Sequence, residues 1–128
     1  MPLLVAACPS FLPAWNEMQV EQNKKERLYY IELASFASHL IKLKTDSKTE
    51  EFSEVFGVIE RLHIEGDEYV QEVATVGLLE DIQNIAGNQG LERVVFIPYL
   101  HPVSKSWWYA LNRFWDGESD RVTLKDVQ

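Results

Sequence analysis

The pair of residues with the clearest potential for chemistry is a glutamate and a histidine three positions apart, Glu60 and His63. On a helix this spacing places both side chains on one face, and helical di-iron carboxylate proteins use it to hold metal. Such a site needs a second Glu-x-x-His pair and two further glutamates, and the second pair does not occur in the chain. We therefore expect no metal site, and we expect His63 to be a structural histidine at the edge of the core.

Nucleophilic catalysis has equally little support in the sequence. Cys8 is the only cysteine, and no histidine lies near it in the chain. Gly-x-Ser-x-Gly, a phosphate-binding glycine loop and a dinucleotide fingerprint are all missing. We expect His39 and His101 to be structural or solvent-facing. The sequence therefore predicts a protein without catalytic residues, cofactor or enzymatic activity.

The strongest pattern in the chain is an acidic window, residues 50–81. It holds ten acidic residues and one basic residue, Arg61, whereas the remainder is nearly balanced, so the window accounts for the net charge of −8. A field of one sign on a small domain attracts basic proteins and repels nucleic acid phosphates. We therefore expect a basic protein partner and no nucleic acid.

Length and composition favour one globular domain over residues 1–128. A hydrophobic fraction of 46% is typical of a folded protein, and 128 residues are enough for one core. A single cysteine fits a reducing cytoplasm, and no apolar run approaches the ~20 residues of a membrane helix. Leu4 to Cys8 resembles a lipobox without a basic leader. We expect residues 1–9 and 116–128 to be loosely ordered.

Hydrophobic residues recur with helical spacing along almost the whole chain. The clearest stripe, in residues 48–65, consists of Phe52, Val55, Phe56, Ile59 and Leu62, with acidic residues on the opposite face. Residues 91–100 are either a short helix or an extended packed segment, because no second strand is available to pair with them. The predicted helices cover residues 11–22, 28–44, 48–65, 67–86 and 102–115.

The helix predicted at 67–86 is apolar on most sides and should be the most buried element. Its first part resembles the second helix of a HEAT-type repeat, with small residues at Ala74 and Gly77. A single such unit cannot form a solenoid, which needs stacked repeats. The predicted fold is therefore all-α, a compact bundle of about five helices with a HEAT-like pair at its centre.

Two adjacent tryptophans, Trp107 and Trp108, point about 100° apart on the final helix. One interpretation is that Trp107 anchors the core and Trp108 covers a neighbouring helix or loop. The other makes Trp108 or Tyr109 an exposed anchor for a partner, since aromatic residues are enriched at binding hot spots.

Five segments of the chain form recognisable motifs: Leu33–Leu40, Phe56–Leu62, Glu65–Val70, Gly77–Asn84 and a closing box that begins at Tyr99 and ends in the pattern WW..L..FW at 107–115. Together they resemble a family of small bacterial helical proteins of unknown function. The chain departs from that family at His101, where a glycine is expected before the proline. The resemblance implies an all-helical fold and no established enzyme activity. Some similar small acidic proteins are immunity proteins of polymorphic toxins, including the contact-dependent inhibition type.

Together these observations favour an immunity or antitoxin-type protein that neutralises a basic toxin domain, for which a nuclease is the best candidate. An acidic surface can occupy the basic site with which a nuclease holds phosphates. The alternative is a non-catalytic helical adaptor or structural protein, in which acidity serves solubility. The residues expected to contact the partner are Glu50, Glu54, Glu65, Asp67, Glu68, Glu72 and Trp108.

Overall fold

A computed structural model describes residues 2–21 and 29–115, and in these two ranges the chain is helical without any strand. The predicted all-α class is confirmed. None of the described helices combines the length and apolar composition that a bilayer crossing requires. The seven α-helices are α1 (Pro2–Ala7), α2 (Leu12–Glu21), α3 (Tyr29–Thr45), α4 (Phe52–Glu65), α5 (Glu68–Glu72), α6 (Glu80–Asn88) and α7 (Pro102–Trp115). Two 3₁₀ helices (Pro9–Phe11 and Arg93–Tyr99) and a π-helical segment (Val73–Leu79) complete the order.

The start of the chain differs from the loosely ordered segment that the sequence predicts. Helix α1 packs against α4, and Leu4, Val5 and Cys8 all belong to the core. The apolar run that resembles a lipobox is therefore buried surface of the domain, and the free energy of burying it holds the segment in place. Residues 116–128, for which the same expectation was made, lie outside the described residues.

The core forms where the apolar stripes of α3 and α4 meet the other helices. Leu33, Phe36 and Leu40 of the predicted stripe on α3 are at most 3% exposed, and Phe52 and Ile59 on α4 are fully buried. Both stripes follow the 3.6-residue period of the helix, which is why the sequence reveals them.

Helix α4 begins four residues later than predicted because α3 ends in a tight turn. The N–H of Lys48 donates to Leu43 O at 2.8 Å and the N–H of Ser47 donates to Lys44 O at 3.1 Å. Ser47 takes a positive φ of 58°, as the residue after a helix does in this Schellman arrangement. Residues 48–51 are thus used in the connection between the two helices.

Helix α5, the π-helical segment and α6 follow one another without a break, and we refer to residues 68–88 as the central rod. Asp67 caps its start by accepting a 2.9 Å hydrogen bond from Val70 N–H. The rod contacts α3, α4 and α7, and α3 is its most extensive neighbour. The HEAT-like pairing with α4 is thus only part of the packing around the rod.

Residues 93–99 adopt the helical alternative of the two left open by the sequence, as a 3₁₀ helix. Phe96 is fully buried, and the Tyr99 ring meets the Phe52 ring edge-on at a centroid distance of 4.9 Å. Lys44 Nζ also donates to the Tyr99 hydroxyl at 3.2 Å. These contacts seat the segment on α3 and α4, so its β-branched residues need no partner strand.

Two glycines of this region make a matched test of packing. A Cβ on Gly66, between α4 and α5, would overlap Val70 Cγ1 and come within 2.5 Å of Leu62 O, whereas a Cβ on Gly57 would meet nothing within 4 Å. We expect Gly66→Ala to lower the free energy of unfolding by about 2 kcal/mol through overpacking. Gly57→Ala should raise it by about 0.5–1 kcal/mol, because alanine restricts the unfolded chain and favours the helix. Urea unfolding of both variants measures this, and equal effects would contradict the close approach at Gly66.

Candidate functional site

Folding divides the ten acidic residues of the window into three groups. Glu60 is buried, and Glu51, Glu80 and Asp81 are half-buried. The remaining six are exposed, and they are the six acidic residues that the sequence predicts to contact a partner: Glu50, Glu54, Glu65, Asp67, Glu68 and Glu72.

The exposed acidic residues lie along α4 and around the turn into α5. Glu50 lies in the connection before α4, Glu54 is in the first turn of the helix, and Glu65 ends it roughly 16 Å beyond Glu54 along the axis. Asp67, Glu68 and the rest of the set follow directly after the turn. The surface is therefore elongated, and its charge is most concentrated at the α4–α5 turn.

Little positive charge offsets this surface. Arg61 Nε lies 3.1 Å from Glu65 Oε2, one turn away on α4, and both side chains are more than half exposed. Exposed pairs of this kind contribute little to stability, and water screens them. The carboxylate of Asp67 is engaged only with the backbone N–H of Val70. The α4–α5 turn therefore presents a net negative charge to solvent.

The prediction that Trp108 contacts a partner is wrong, because its side chain is buried. It is fully buried, and its ring lies 6.1 Å from that of Phe96 between centroids. Trp107 is also buried at 9% exposed, whereas Tyr109 is 44% exposed. Helix α7 packs against α4 and the π-helical segment, and the Trp108 ring also meets Phe96. These tertiary contacts could not be derived from the helix pattern alone.

An aromatic residue does stand on the acidic surface, and it is Tyr69. Its side chain is 61% exposed, next in sequence to Glu68, and Ile64 before the turn is also 61% exposed. Val76, on the same rod, is 41% exposed. Tyr69 lies in the helix predicted at 67–86, which was expected to be apolar on most sides and the most buried element. The sequence feature that could have predicted its exposure is its position in the first turn of the helix, beside Asp67 and Glu68, where neighbouring helices bury only part of the surface.

Glu60 belongs to the acidic window by sequence, but its role in the structure is to bind the first turn of α7. Its two carboxylate oxygens accept the N–H groups of Val103 at 2.9 Å and Ser104 at 2.8 Å, in the first turn of α7. Burial raises the pKa of Glu60, but these hydrogen bonds outweigh it and leave the pKa below its ordinary value. The charge also suits the positive end of the α7 dipole. Glu60 is thus a capping group supplied from another helix.

His63 is the second buried member of the predicted pair. Its Nδ1 lies 2.9 Å from Ser104 Oγ and its Nε2 lies 2.8 Å from Thr75 Oγ1, so both ring nitrogens are engaged. Its ring stacks on Trp107 with the planes 16° apart. Burial lowers the pKa of His63 to about 4, despite the opposing effect of Glu60. The imidazole is therefore neutral at pH 7 and joins α4, the π-helical segment and α7.

These contacts place the Glu-x-x-His pair in the packing of α7. The described part of the chain holds no group of three or more His, Cys, Asp or Glu residues placed to bind a metal ion.

Helix α6 carries a half-buried acid whose pKa is raised, whereas the pKa values of Glu60 and His63 are lowered. Burial and then the neighbouring Glu80 raise the pKa of Asp81 to about 6.

A third polar cluster joins the N-terminal segment to α3 and α4. Ser10 Oγ lies 2.7 Å from His39 Nε2, and Ser10 N–H donates to Glu51 Oε1 at 2.9 Å. Cys8 Sγ is 3.6 Å from the same hydroxyl, but the thiol is buried, and burial raises its pKa. The N–H of Ser10 is used by Glu51 and that of Phe11 by Cys8 O, so neither can stabilise an oxyanion. The geometry indicates attachment of the N-terminal segment.

Comparison with known proteins shows a family match over most of the chain. A model described as a domain of unknown function, DUF7674, matches residues 1–116. No curated protein and no solved structure matches the chain.

Proposed function

The chain belongs to the DUF7674 family of domains of unknown function, and from its surface we propose that it is a non-catalytic binding protein for a basic protein. Its best-fitting role is that of an immunity or antitoxin-type protein, acting in the cytoplasm on a nuclease-type toxin domain. The observation that supports this most directly is the concentration of exposed carboxylates at the α4–α5 turn, with no more than one basic residue in the whole acidic window.

The physical basis is charge complementarity. A nuclease carries basic residues to hold phosphates, and a protein with exposed carboxylates on a rigid surface can cover them. Opposite fields on the two proteins accelerate their encounter, and salt weakens this acceleration. Helix α4 has a fully buried face and the rod begins at a capped turn, so both hold the carboxylates in fixed positions.

Tyr69 takes the place of Trp108 as the proposed anchor of this interface. Binding energy concentrates in a few residues, often aromatic, that a polar rim surrounds. Tyr69 and Ile64 supply exposed apolar surface, and Glu65 and Glu68 lie beside them in sequence. A basic partner with an apolar centre would fit this combination.

Charge reversal tests the proposal. We expect Glu68→Lys with Glu72→Lys to slow association with the proposed basic partner domain by about tenfold or more at low ionic strength. The dependence of the rate on salt should also become weaker. Stopped-flow mixing at several salt concentrations measures both.

The matched control reverses two exposed acids outside the acidic window, Glu17→Lys with Asp46→Lys, which changes the net charge by the same amount. Equal association rates for the two double variants would contradict a specific role for the α4–α5 turn. A pull-down that recovers many weak partners, or none, would favour the adaptor function instead.

A further inference from the structure

We infer that a pocket between the N-terminal helix and the central rod binds an uncharged, mainly apolar small molecule. The pocket has a volume of about 240 Å³ and is formed by α1, α3, α4 and the first half of the rod. Leu4, Leu33 and Leu62 form one side, and residues of α5 and the π-helical segment form the other. The pocket shares Tyr69 with the proposed toxin-binding surface, but its test, the binding of a small molecule, does not depend on that proposal.

The pocket runs from the surface to the interior of the domain. Leu4, Leu33 and Leu78, which line it, are at most 3% exposed, whereas Tyr69 at its mouth is 61% exposed. Protein interiors are close-packed and seldom contain a space larger than a water molecule. The buried leucines and the exposed Tyr69 thus give the pocket an apolar interior and an opening to solvent, the form that small-molecule sites take.

The lining determines the chemical class of the ligand. Among the described residues that line the pocket, all side chains are apolar except Tyr69, whose hydroxyl is their one polar group. A charged group inside would lose its hydration without gaining a partner. Asp67 and Glu68 precede Tyr69 directly and would repel an anionic head group at the mouth. The complementary ligand therefore has an apolar body and at most a neutral polar end such as a hydroxyl.

The size of the pocket limits the ligand to about ten non-hydrogen atoms. An apolar cavity of about 150 Å³ stays dry and holds benzene, which has six. The volume of 240 Å³ is larger by about half. A six-carbon alcohol or a bicyclic aromatic molecule matches this space.

The π-helical segment supplies a second, independent observation. Three of its residues, Val73, Ala74 and Leu78, line the pocket. Helical segments with this wider winding are rare, and they occur frequently at functional sites. Here the change of winding falls where the rod borders the pocket, and regular α-helix resumes at Glu80.

The experiment titrates 1-hexanol into the intact protein and follows the methyl NMR signals. We expect the methyl groups of Leu4, Leu33 and Leu78 to shift in a saturable way, and the thermal midpoint to rise with ligand concentration. Hexanoate, with the same chain length and a negative charge at pH 7, should bind at least tenfold more weakly.

Ala74→Phe should weaken 1-hexanol binding at least tenfold, because its ring occupies the pocket. Val76→Phe is the matched control, since Val76 is in the same segment but is 41% exposed and does not line the pocket. If Ala74→Phe fails to fold, the methyl shifts of the unaltered protein still decide the matter.

Three outcomes would overturn the inference. One is a set of shifts away from the pocket, and another is equal binding of hexanoate and 1-hexanol. The third is a response of these methyl groups to a short peptide with a leucine or phenylalanine but none to 1-hexanol. That result would assign the pocket to a partner's side chain.

Discussion

Lowering the pH from 7 to 4 is expected to reduce the free energy of unfolding by about 3 kcal/mol through His63 alone. The folded protein holds His63 neutral, with its pKa lowered to about 4 from an ordinary value of 6.5. The unfolded chain therefore takes up a proton in this interval and the folded chain does not. Stability is lost as the pH falls below about 6.5, and the loss continues to about pH 4.

The comparison of wild type with His63→Gln isolates this effect. Asp81, whose pKa is raised to about 6, changes stability in the opposite direction over the same interval, and both proteins share it. We expect His63→Gln to be less stable at pH 7 and to lose about 2 kcal/mol less than wild type between pH 7 and 5. Urea unfolding at each pH measures this. His101→Gln alters an exposed histidine and is the control; an unchanged pH dependence in His63→Gln would refute the assignment.

Replacing Glu60 with alanine is expected to cost about 3 kcal/mol of stability. The substitution removes two charge-assisted hydrogen bonds and leaves the N–H groups of Val103 and Ser104 without their acceptors. It also removes a negative charge from the positive end of α7. Glu54→Ala, on the same helix but exposed, should change stability by less than about 0.5 kcal/mol.

Two measurements distinguish this capping role from simple loss of packing. Glu60→Gln keeps one acceptor oxygen, so we expect about half of the destabilisation seen with alanine. Amide exchange of Val103 and Ser104 should accelerate in both variants. The contribution of Glu60 is present above the ordinary pKa of the group and is lost as the pH falls through its lowered pKa in the folded protein. Equal stability of the alanine variant and wild type would rule out the cap.

The helices were predictable because their evidence is local. The stripes on α3 and α4 follow the helical period, and Asp67 is a standard cap for the rod. The exposure of Glu68 and Glu72 was also predictable, since a lone carboxylate is costly to bury. Their contact with a partner stays a prediction.

The contacts between segments that are far apart in the chain could not be predicted from the sequence. Glu60 is buried because the first turn of α7, more than forty residues later, supplies two N–H donors. Trp108 is buried because α7 packs against α4 and the π-helical segment and its ring meets Phe96. Both outcomes depend on tertiary contacts that leave no periodic signal in the chain. The same holds for α1, whose short apolar run becomes part of the core only through its packing on α4.

The bond between Glu60 and the start of α7 has a consequence for synthesis on the ribosome. A chain emerges N-terminus first, so α4 is complete well before Val103 and Ser104 have left the exit tunnel. Until then, Glu60 and His63 have no hydrogen-bond partners in α7, and burying them without these partners would cost free energy. The interior between α4 and the rod can therefore close only after the first turn of α7 has emerged.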